Sequence, residues 1–351
     1  MDDAIDRSTP SVAVLGCGGW GKNIVRTLHS IQPIPVIADP SEAGRATAAE
    51  LAPDAVVTNN PAVIFDDPAI DAVMIATPAE THFELAKRAI EAGKDVFVEK
   101  PLTIDLDEAR ALVQLAGAHG RLLMVGHLLE YHPAILKLHD LIKQGELGEV
   151  RYVISNRLNL GKVRTHENAL WSFAPHDIAV ILRLVGQDPT EVVATGGSYV
   201  SPGIADVTVT QLLFPKGVRS HVFVSWLHPF KEQRLVVVGS KKMASFDDVN
   251  KELVLYDQRV DLEEGQPVPV KGEGTAVEFD TATSPLEAEV RHFIERVIDR
   301  QPARTHGASG VKVLEILHAA QESIGQGGGA ISLVQERPIV EAKLEATHAR
   351  V

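Results

Sequence analysis

Residues 11–39, SVAVLGCGGWGKNIVRTLHSIQPIPVIAD, decide the fold of the first part of this chain. A short apolar run is followed by a glycine-rich turn, a helical pattern and a second apolar run that ends at Asp39. Three glycines of the turn have the spacing G-x-G-x-x-G: Gly16, Gly18 and Gly21. The order strand, glycine turn, helix, strand and acidic residue is typical of a dinucleotide-binding βαβ unit.

The glycines and the acidic residue have separate physical roles. Gly16 permits the tight turn, Gly18 lets the backbone approach a pyrophosphate, and Gly21 lets the helix pack close to the strand. The free N–H groups at the helix N-terminus favour a diphosphate. Asp39 can accept hydrogen bonds from both adenosine ribose hydroxyls and would repel a 2′-phosphate, so we expect NAD. Arg45 leaves NADP open, and a glycine turn that binds no nucleotide is the alternative.

Composition narrows the class of protein. Hydrophobic residues make up 45% and charged residues 23% of the 351 residues, as in globular proteins with a substantial core. The formal net charge of −13 argues against nucleic acid as a partner, because binding its phosphates requires a basic surface. The N-terminus has no signal-peptide pattern and no apolar run reaches membrane-spanning length. We expect a cytoplasmic protein with no membrane partner, and we assign the single cysteine, Cys17, to packing.

After Asp39, strands and helices alternate, which predicts a parallel sheet. Ligands bind such sheets beyond the carboxyl ends of the strands. Three dipeptides follow predicted strands at that edge: Thr77-Pro78, Glu99-Lys100 and Gly126-His127. Thr81 and Glu84 have the spacing of a capping box and predict a helix start. The sequence therefore predicts a doubly wound α/β Rossmann domain over residues 1–130.

The pattern changes near Tyr131. Long alternating strands follow, interrupted by one clear helix at about residues 175–184, and two amphipathic helices return near the C-terminus. This favours an α+β domain over residues 131–351 with a large, mainly antiparallel open sheet. We allow for the C-terminal helices to pack back on the first domain. An open sheet usually needs its exposed face covered, so we expect a homodimer or homotetramer.

Lys100 and His176 are the candidate catalytic residues. Pro101 restricts the backbone of Lys100 at the end of a buried strand, where an ammonium can stabilise a developing alkoxide or relay a proton. His176 lies where we predict a helix to begin, and histidine is the usual general base near neutral pH. Asp177 either orients His176 or simply lies in the first helical turn, where a carboxylate favours the helix dipole.

A basic and polar cluster leads along the chain toward His176: Arg157, Asn159, Lys162 and Arg164. Because arginine suits phosphate recognition, we predict that this cluster binds a diphosphate or sugar hydroxyls, and a solvated loop is the alternative. The remaining histidines of this region lack the spacing of metal ligands, so we expect no metal: His127, His132 and His139.

Four segments resemble the Gfo/Idh/MocA oxidoreductases: GCGGWG (16–21), ATPAETH (76–82), VEKPL (98–102) and APHD (174–177). The resemblance spans nearly the whole chain. It implies an NAD-dependent oxidoreductase in which Lys100 is the catalytic lysine and His176 acts as acid or base. It also implies that Thr77, Pro78 and Glu99 line the cofactor site. Many members carry an aspartate four residues before the histidine, where this chain has Ser172.

Residues 155–177 resemble the sugar-nucleotide branch of that family. This implies oxidation at C3 of a UDP-sugar, above all UDP-GlcNAc, for later amination by a PLP-dependent aminotransferase in lipid A or surface-glycan biosynthesis. Two alternatives stay open: a dehydrogenase of a free sugar or polyol such as inositol, and a non-catalytic NAD-binding sensor.

The candidate cofactor-binding residues are Gly16, Gly18, Gly19, Trp20, Gly21, Lys22, Asn23, Asp39, Thr77, Pro78, His82, Glu99 and Lys100. The candidate substrate-binding residues are Tyr131, Arg157, Asn159, Lys162, Arg164, Trp171 and His176.

Overall fold

A computed structural model of the chain describes residues 9–334. Its first sheet has six strands: β1 (Val12–Leu15), β2 (Val36–Ala38), β3 (Val56–Thr58), β4 (Ala72–Ile75), β5 (Asp95–Glu99) and β6 (Leu123–Gly126). The strand order is β3-β2-β1-β4-β5-β6, and every neighbouring pair is parallel. This is the predicted doubly wound Rossmann sheet. Its order reverses between β1 and β4, so the ligand crevice lies beyond the ends of those two strands.

Helices cover both faces of this sheet: α1 (Gly21–Ile31), α2 (Glu42–Leu51), α3 (Ala62–Asp66), α4 (His82–Glu91) and α5 (Leu106–Ala118). Successive residues of β1 belong to different clusters, Val12 and Val14 to one, Ala13 and Leu15 to the other. All four are buried, as a parallel sheet with two covered faces requires.

The chain continues through α6 (Pro133–Lys143), β7 (Val150–Leu160), α7 (Ala169–Val185), β8 (Glu191–Gly197), β9 (Val207–Leu213), β10 (Arg219–Ser225), β11 (Leu227–Gly239), β12 (Met243–Asp247), β13 (Glu252–Glu263), β14 (Gln266–Ala276), α8 (Pro285–Asp299), α9 (Gly307–Gly325) and β15 (Ile331–Ser332). The strands from β7 onward form one sheet, ordered β14-β13-β12-β11-β7-β10-β9-β8-β15. Neighbours are antiparallel except β7 and β10, so the predicted mainly antiparallel sheet is confirmed. Strands β12, β13 and β14 were not predicted, because polar residues on much of their surface weaken the alternation.

Helices α8 and α9 return to the first sheet. Val311 and Leu314 of α9 belong to one of its two clusters, and Phe293 of α8 packs edge-on against Phe97 of β5 in the other, with ring centroids 5.9 Å apart. An ion pair between Arg300 and the buried Asp95 adds to this contact. The last helices therefore tie the two sheets together.

Two local predictions were wrong. Helix α7 begins at Ala169, with Asn168 as its N-cap, so His176 lies two turns inside the helix instead of at its start. Pro175 misled the prediction because proline is common in a first helical turn. At α4 no capping box forms, because the Thr81 hydroxyl bonds to the Thr77 hydroxyl and the Pro78 carbonyl.

The strands of the second sheet carry exposed apolar side chains, such as Leu160, Phe230 and Leu262. The expected homodimer or homotetramer stays a prediction. Within residues 9–334, no helix combines the length and the hydropathy needed to cross a lipid bilayer.

Candidate active site

The glycine turn after β1 is shaped by two close backbone contacts. Gly16 has φ +94°, and a Cβ there would lie 2.7 Å from the Ala76 carbonyl oxygen. A Cβ on Gly21 would lie 2.2 Å from the Gly16 carbonyl oxygen, so α1 starts against the turn itself. Both positions therefore require glycine for the reasons predicted from the sequence.

The next part of the turn faces open space. A Cβ on Gly18 or Gly19 would meet no atom of residues 9–334 within 4 Å, which fits a backbone that approaches a diphosphate. Trp20 follows, 44% exposed, and its indole N–H donates to Glu99 Oε1 at 2.7 Å. This hydrogen bond links the glycine turn to the strand end that carries Lys100. Lys22 is exposed on the first turn of α1, next to Asn23.

A cavity of about 400 Å³ lies beside the ends of β1, β2 and β4, lined by Asp39, Thr77 and Pro78 among others. Asp39 is buried, and its carboxylate accepts hydrogen bonds from the Cys17 N–H and from both the N–H and the hydroxyl of Ser41. These three bonds leave room for about one further donor, so the carboxylate can take one ribose hydroxyl rather than the two predicted. Cys17 itself is buried, as predicted.

His82 does not serve the cofactor site. Its side chain is 1% exposed, with Nδ1 2.8 Å from the Pro101 carbonyl oxygen and Nε2 2.9 Å from that of Thr77. The ring N–H therefore donates to one of these carbonyl oxygens, and the ring joins the end of β4 to the loop after β5. The prediction of a cofactor contact was wrong, because sequence alone does not show which polar groups a side chain already satisfies.

Lys100 stands directly after β5, and its side chain crosses to the second domain. Nζ donates a hydrogen bond to the backbone carbonyl of Ser172 in α7, at 3.1 Å. Burial lowers the pKa of Lys100, while the carboxylates of Glu167 and Glu99 act in the opposite direction. Burial also raises the pKa of Glu99 to about 7.

His176 lies one helical turn after Ser172. Burial lowers the pKa of His176 well below its ordinary value, and the nearby Lys100 ammonium acts in the same direction. The imidazole is therefore neutral near pH 7 and can accept a proton. Its Nδ1 has no hydrogen-bond partner among the described residues. The two candidate catalytic residues thus lie on opposite sides of one cleft, Lys100 on the nucleotide-binding domain and His176 on the second domain.

Asp177 does not orient His176. It accepts two hydrogen bonds from the Arg157 guanidinium, at 2.8 and 3.1 Å, and one from the Ser155 hydroxyl at 2.8 Å. The side chain of Asp177 is 3% exposed and that of Arg157 is 16% exposed, so this is a largely buried ion pair. Arg157 is therefore not free to bind a diphosphate as a loop cation, which corrects its predicted role.

The rest of the predicted substrate cluster is divided. Lys162 and Arg164 are exposed, and Arg164 pairs with Glu167 at 3.2 Å. Asn159 has a buried Oδ1 that finds no hydrogen-bond partner in the described part of the chain. Trp171 lines a second cavity, of about 390 Å³, together with Pro101 and Glu167 next to the lysine.

Tyr131 is not a substrate residue. Its side chain has no exposed surface, its hydroxyl lies 2.9 Å from Thr305 Oγ1, and the Arg304 guanidinium stacks on its ring. The prediction was wrong because Tyr131 ends a short 3₁₀ turn, Leu128–Tyr131, that directs it into the core beneath α8. His127, which sequence analysis set aside, instead lies in the cleft: its ring packs edge-on against His176 with centroids 6.3 Å apart. Its place directly after β6 is the ligand-binding edge that the sequence predicts for Gly126-His127.

Two family profiles match the chain. The profile described as an oxidoreductase family with an NAD-binding Rossmann fold matches residues 11–127, and that of the Gfo/Idh/MocA C-terminal domain matches residues 135–245. The NAD(+)-dependent scyllo-inositol 2-dehydrogenase of Bacillus subtilis is 30% identical over 246 residues, which cover 65% of this chain and 71% of that protein. The chain belongs to the Gfo/Idh/MocA oxidoreductase family.

A second relative of this Gfo/Idh/MocA chain covers more of its length. The UDP-N-acetylglucosamine 3-dehydrogenase of Acidithiobacillus ferrooxidans is 29% identical over 302 residues, which cover 86% of this chain and 93% of that protein. A solved structure of that dehydrogenase superposes with a TM-score of 0.78 at 26% identity, over 90% of this chain and 98% of the other.

The family match settles the class of protein. This Gfo/Idh/MocA chain is an NAD-dependent oxidoreductase, so the non-catalytic sensor is not supported. The glycine turn fits NAD, since the backbone at Gly18 and Gly19 faces open space and the buried Asp39 carboxylate borders the adjoining cavity.

Proposed function

We propose that this enzyme uses NAD to oxidise the C3 hydroxyl of UDP-N-acetylglucosamine to a ketone. The observation that carries the chemistry is the hydrogen bond from Lys100 Nζ to the Ser172 carbonyl, one helical turn before His176. It brings a cation of the nucleotide-binding domain to the histidine of the second domain. The substrate is inferred from the similarity to the Acidithiobacillus 3-dehydrogenase over most of both chains.

His176 and Lys100 divide the chemistry. NAD, when bound, supplies the acceptor for the hydride that leaves C3. The His176 imidazole takes the proton of the C3 hydroxyl. Burial and the Lys100 charge lower its pKa, so the ring is neutral and its lone pair is available before the reaction. The Lys100 ammonium stabilises the negative charge that develops on that oxygen. The site does this without the aspartate that many family members carry, since a backbone carbonyl holds the lysine here.

The cofactor would be held by the crevice between the ends of β1 and β4. The N–H groups at the start of α1 and the open backbone at Gly18 and Gly19 fit the diphosphate. Asp39, Thr77 and Pro78 border the cavity that fits the adenosine half. Glu99 holds the Trp20 indole, so the glycine turn and the lysine strand keep a fixed spacing.

The product is a 3-keto sugar nucleotide. A ketone at C3 is the substrate that a PLP-dependent transaminase needs in order to place an amine there, so we propose that such an enzyme acts next. This would place the chain in amino-sugar biosynthesis for lipid A or another surface glycan, in the cytoplasm.

A free polyol is the second candidate substrate. The predicted diphosphate cluster is weaker in the structure than in the sequence, because Asp177 engages Arg157 and Glu167 pairs with Arg164. The Bacillus scyllo-inositol 2-dehydrogenase is also a relative. The engagement of these two arginines by carboxylates of the same chain favours a neutral substrate such as inositol over a nucleotide sugar.

A deuterium assay separates the two. Purified enzyme and NAD are incubated with UDP-[3-²H]GlcNAc, with UDP-glucose or with myo-inositol, and with an aminotransferase and glutamate to remove the ketone. Deuterated NADH and an aminated UDP-sugar, both detected by mass spectrometry, are the expected result. NADH formed only with myo-inositol would contradict the nucleotide-sugar assignment and support the polyol.

Two variants test the catalytic pair. Lys100→Ala and His176→Ala are expected to lower kcat by about 10²- to 10⁴-fold each, the usual range for a general acid or base. NADH affinity, measured by fluorescence without sugar, is expected to stay within about twofold, since neither residue is needed for the diphosphate. Lys137→Ala, on the exposed side of α6, is the control. Near-normal kcat in both active-site variants would contradict the mechanism.

A further inference from the structure

His127 is placed at the reacting centre by the topology of the first sheet. It follows β6 directly, and Glu99 of β5 pairs with Gly126 of β6, so Lys100 and His127 leave neighbouring strands at the same level. Across the cleft, the His176 ring packs edge-on against the His127 ring at a centroid separation of 6.3 Å and an interplanar angle of 87°. Three titratable side chains therefore lie in the same part of the cleft: Lys100 directly after β5, His127 directly after β6, and His176 in α7.

His127 lacks the hydrogen bonds that other buried histidines of this chain make. It is 2% exposed, yet neither ring nitrogen has a hydrogen-bond partner within residues 9–334. His82 and His132 are equally buried, but carbonyl oxygens engage the first, while a backbone N–H and the Asp248 carboxylate engage the second. A buried polar group without a partner is destabilising, which argues that an absent ligand completes the site at His127.

The charge state of His127 limits what that ligand can be. Burial, with the Lys100 ammonium adding to it, lowers the pKa of His127 to about 3, so the ring is neutral near pH 7. A neutral imidazole offers one N–H donor and one lone pair. It therefore suits a hydroxyl, which both donates and accepts, better than a phosphate, which a cation would bind more strongly.

We propose that His127 is a substrate-contacting residue that binds the ring hydroxyl next to the one that is oxidised. His176 takes the proton of the reacting hydroxyl, and the His127 ring lies beside it, so the adjacent hydroxyl of a cyclic sugar reaches His127 when the first reaches His176. This rests on the proposed function, in which His176 accepts the proton. It applies equally to a nucleotide sugar and to a polyol, because both carry neighbouring ring hydroxyls.

The test measures binding, so it does not depend on turnover. Sugar is titrated into the enzyme–NADH complex and followed by NADH fluorescence, with UDP-GlcNAc, its 4-deoxy analogue and myo-inositol as ligands. His127→Phe is expected to weaken UDP-GlcNAc about tenfold to a hundredfold, as for loss of one buried hydrogen-bonding group. The affinity of His127→Phe for the 4-deoxy analogue is expected to equal that of the unmutated enzyme for the same analogue. Its affinity for NADH in the absence of sugar is expected to be unchanged.

Matched variants keep the result interpretable. His29→Phe removes another histidine with an unpartnered buried Nδ1, in α1, and is expected to leave sugar binding unchanged. His127→Gln, which keeps a donor and an acceptor, is expected to recover part of the affinity and replaces His127→Phe if that variant does not fold.

Four outcomes overturn the proposal. Weaker NADH binding with unchanged sugar binding would assign His127 to the cofactor. Equal losses for UDP-GlcNAc and its 4-deoxy analogue would exclude contact with that hydroxyl. Sugar affinity unchanged by both His127 substitutions would exclude any contact while leaving the proposed function intact. Failure of every sugar to bind the unmutated enzyme would contradict the proposed function, and the inference with it.

Discussion

The Lys100 ammonium donates a hydrogen bond to the Ser172 carbonyl across the cleft between the two domains, at 3.1 Å. Ser172 occupies the position at which the resemblance to the family leads us to expect an aspartate. A carbonyl oxygen can orient the ammonium there, but it brings no negative charge. In this chain the strongest opposing charge on Lys100 comes from Glu167, just before the N-cap of α7.

Replacement of Glu167 tests whether its carboxylate supplies the negative charge that Ser172 does not bring to Lys100. The Glu167 carboxylate raises the pKa of Lys100 against the effect of burial, so Glu167→Gln is expected to lower it further. Removal of Glu167 also leaves Arg164 unpaired near the lysine, which acts in the same direction. If the ammonium form is required, the alkaline limb of the kcat profile moves to lower pH.

The pH profile of Glu167→Gln is compared with that of Glu80→Gln. Glu80 belongs to the nucleotide-binding domain and lines the same cavity of about 390 Å³ as Glu167. That control is expected to keep the alkaline limb of the unmutated enzyme. An unmoved limb in Glu167→Gln would show that the Ser172 carbonyl and Glu99 suffice to hold the lysine charged.

His176 is expected to remain neutral throughout the physiological range. Its pKa is lowered well below the ordinary value by burial and by the Lys100 charge, so protonation begins only well below the pH at which a free histidine titrates. The ¹³C-histidine NMR signal of His176, assigned with His176→Gln, is expected not to shift between pH 6 and pH 8. A midpoint near the ordinary histidine pKa of about 6.5 would contradict the closed, desolvated site.

The two arginines of the predicted cluster are expected to behave differently. Arg157→Gln leaves the buried Asp177 carboxylate without its ion-pair partner, and is expected to cost about 3 to 5 kcal/mol of unfolding free energy. Arg164→Gln removes an exposed cation and is expected to change unfolding by less than about 1 kcal/mol. Urea denaturation measures both.

Steady-state kinetics then separates the substrates. If the substrate carries a diphosphate, Arg164→Gln and Lys162→Gln are expected to raise its KM with kcat little changed. An unaltered KM in both would favour the polyol.

Equal stability of Arg157→Gln and the unmutated enzyme would contradict the buried ion pair.

Gly16 and Gly18 form a matched pair within one turn. Gly16→Ala places a Cβ 2.7 Å from the Ala76 carbonyl at φ +94°, so it is expected to destabilise the fold by about 1 to 3 kcal/mol or more. Gly18→Ala meets no atom within 4 Å and is expected to leave the melting temperature unchanged. Its methyl group would instead obstruct the diphosphate and weaken NADH binding, measured by fluorescence. Unchanged NADH affinity would show that the diphosphate does not approach Gly18.

The sequence by itself determined the Rossmann half of this protein. Turn, strand and helix signals act between residues close along the chain, so the glycine spacing, the apolar strands and the place of Lys100 after β5 were predictable. The helix boundary before His176 was misjudged because Pro175 carries the same local signal inside a helix as at its start.

Only the tertiary structure decided which side chains are free to meet a ligand. Tyr131, His82 and Arg157 are polar residues near predicted functional segments, yet each is already satisfied by a group distant in sequence. The sequence places His127 at the ligand-binding edge of the first sheet, and among the described residues it is the one of these four without a hydrogen-bond partner. Hydrogen-bond satisfaction depends on packing between β6, α7 and α8, which no local pattern encodes.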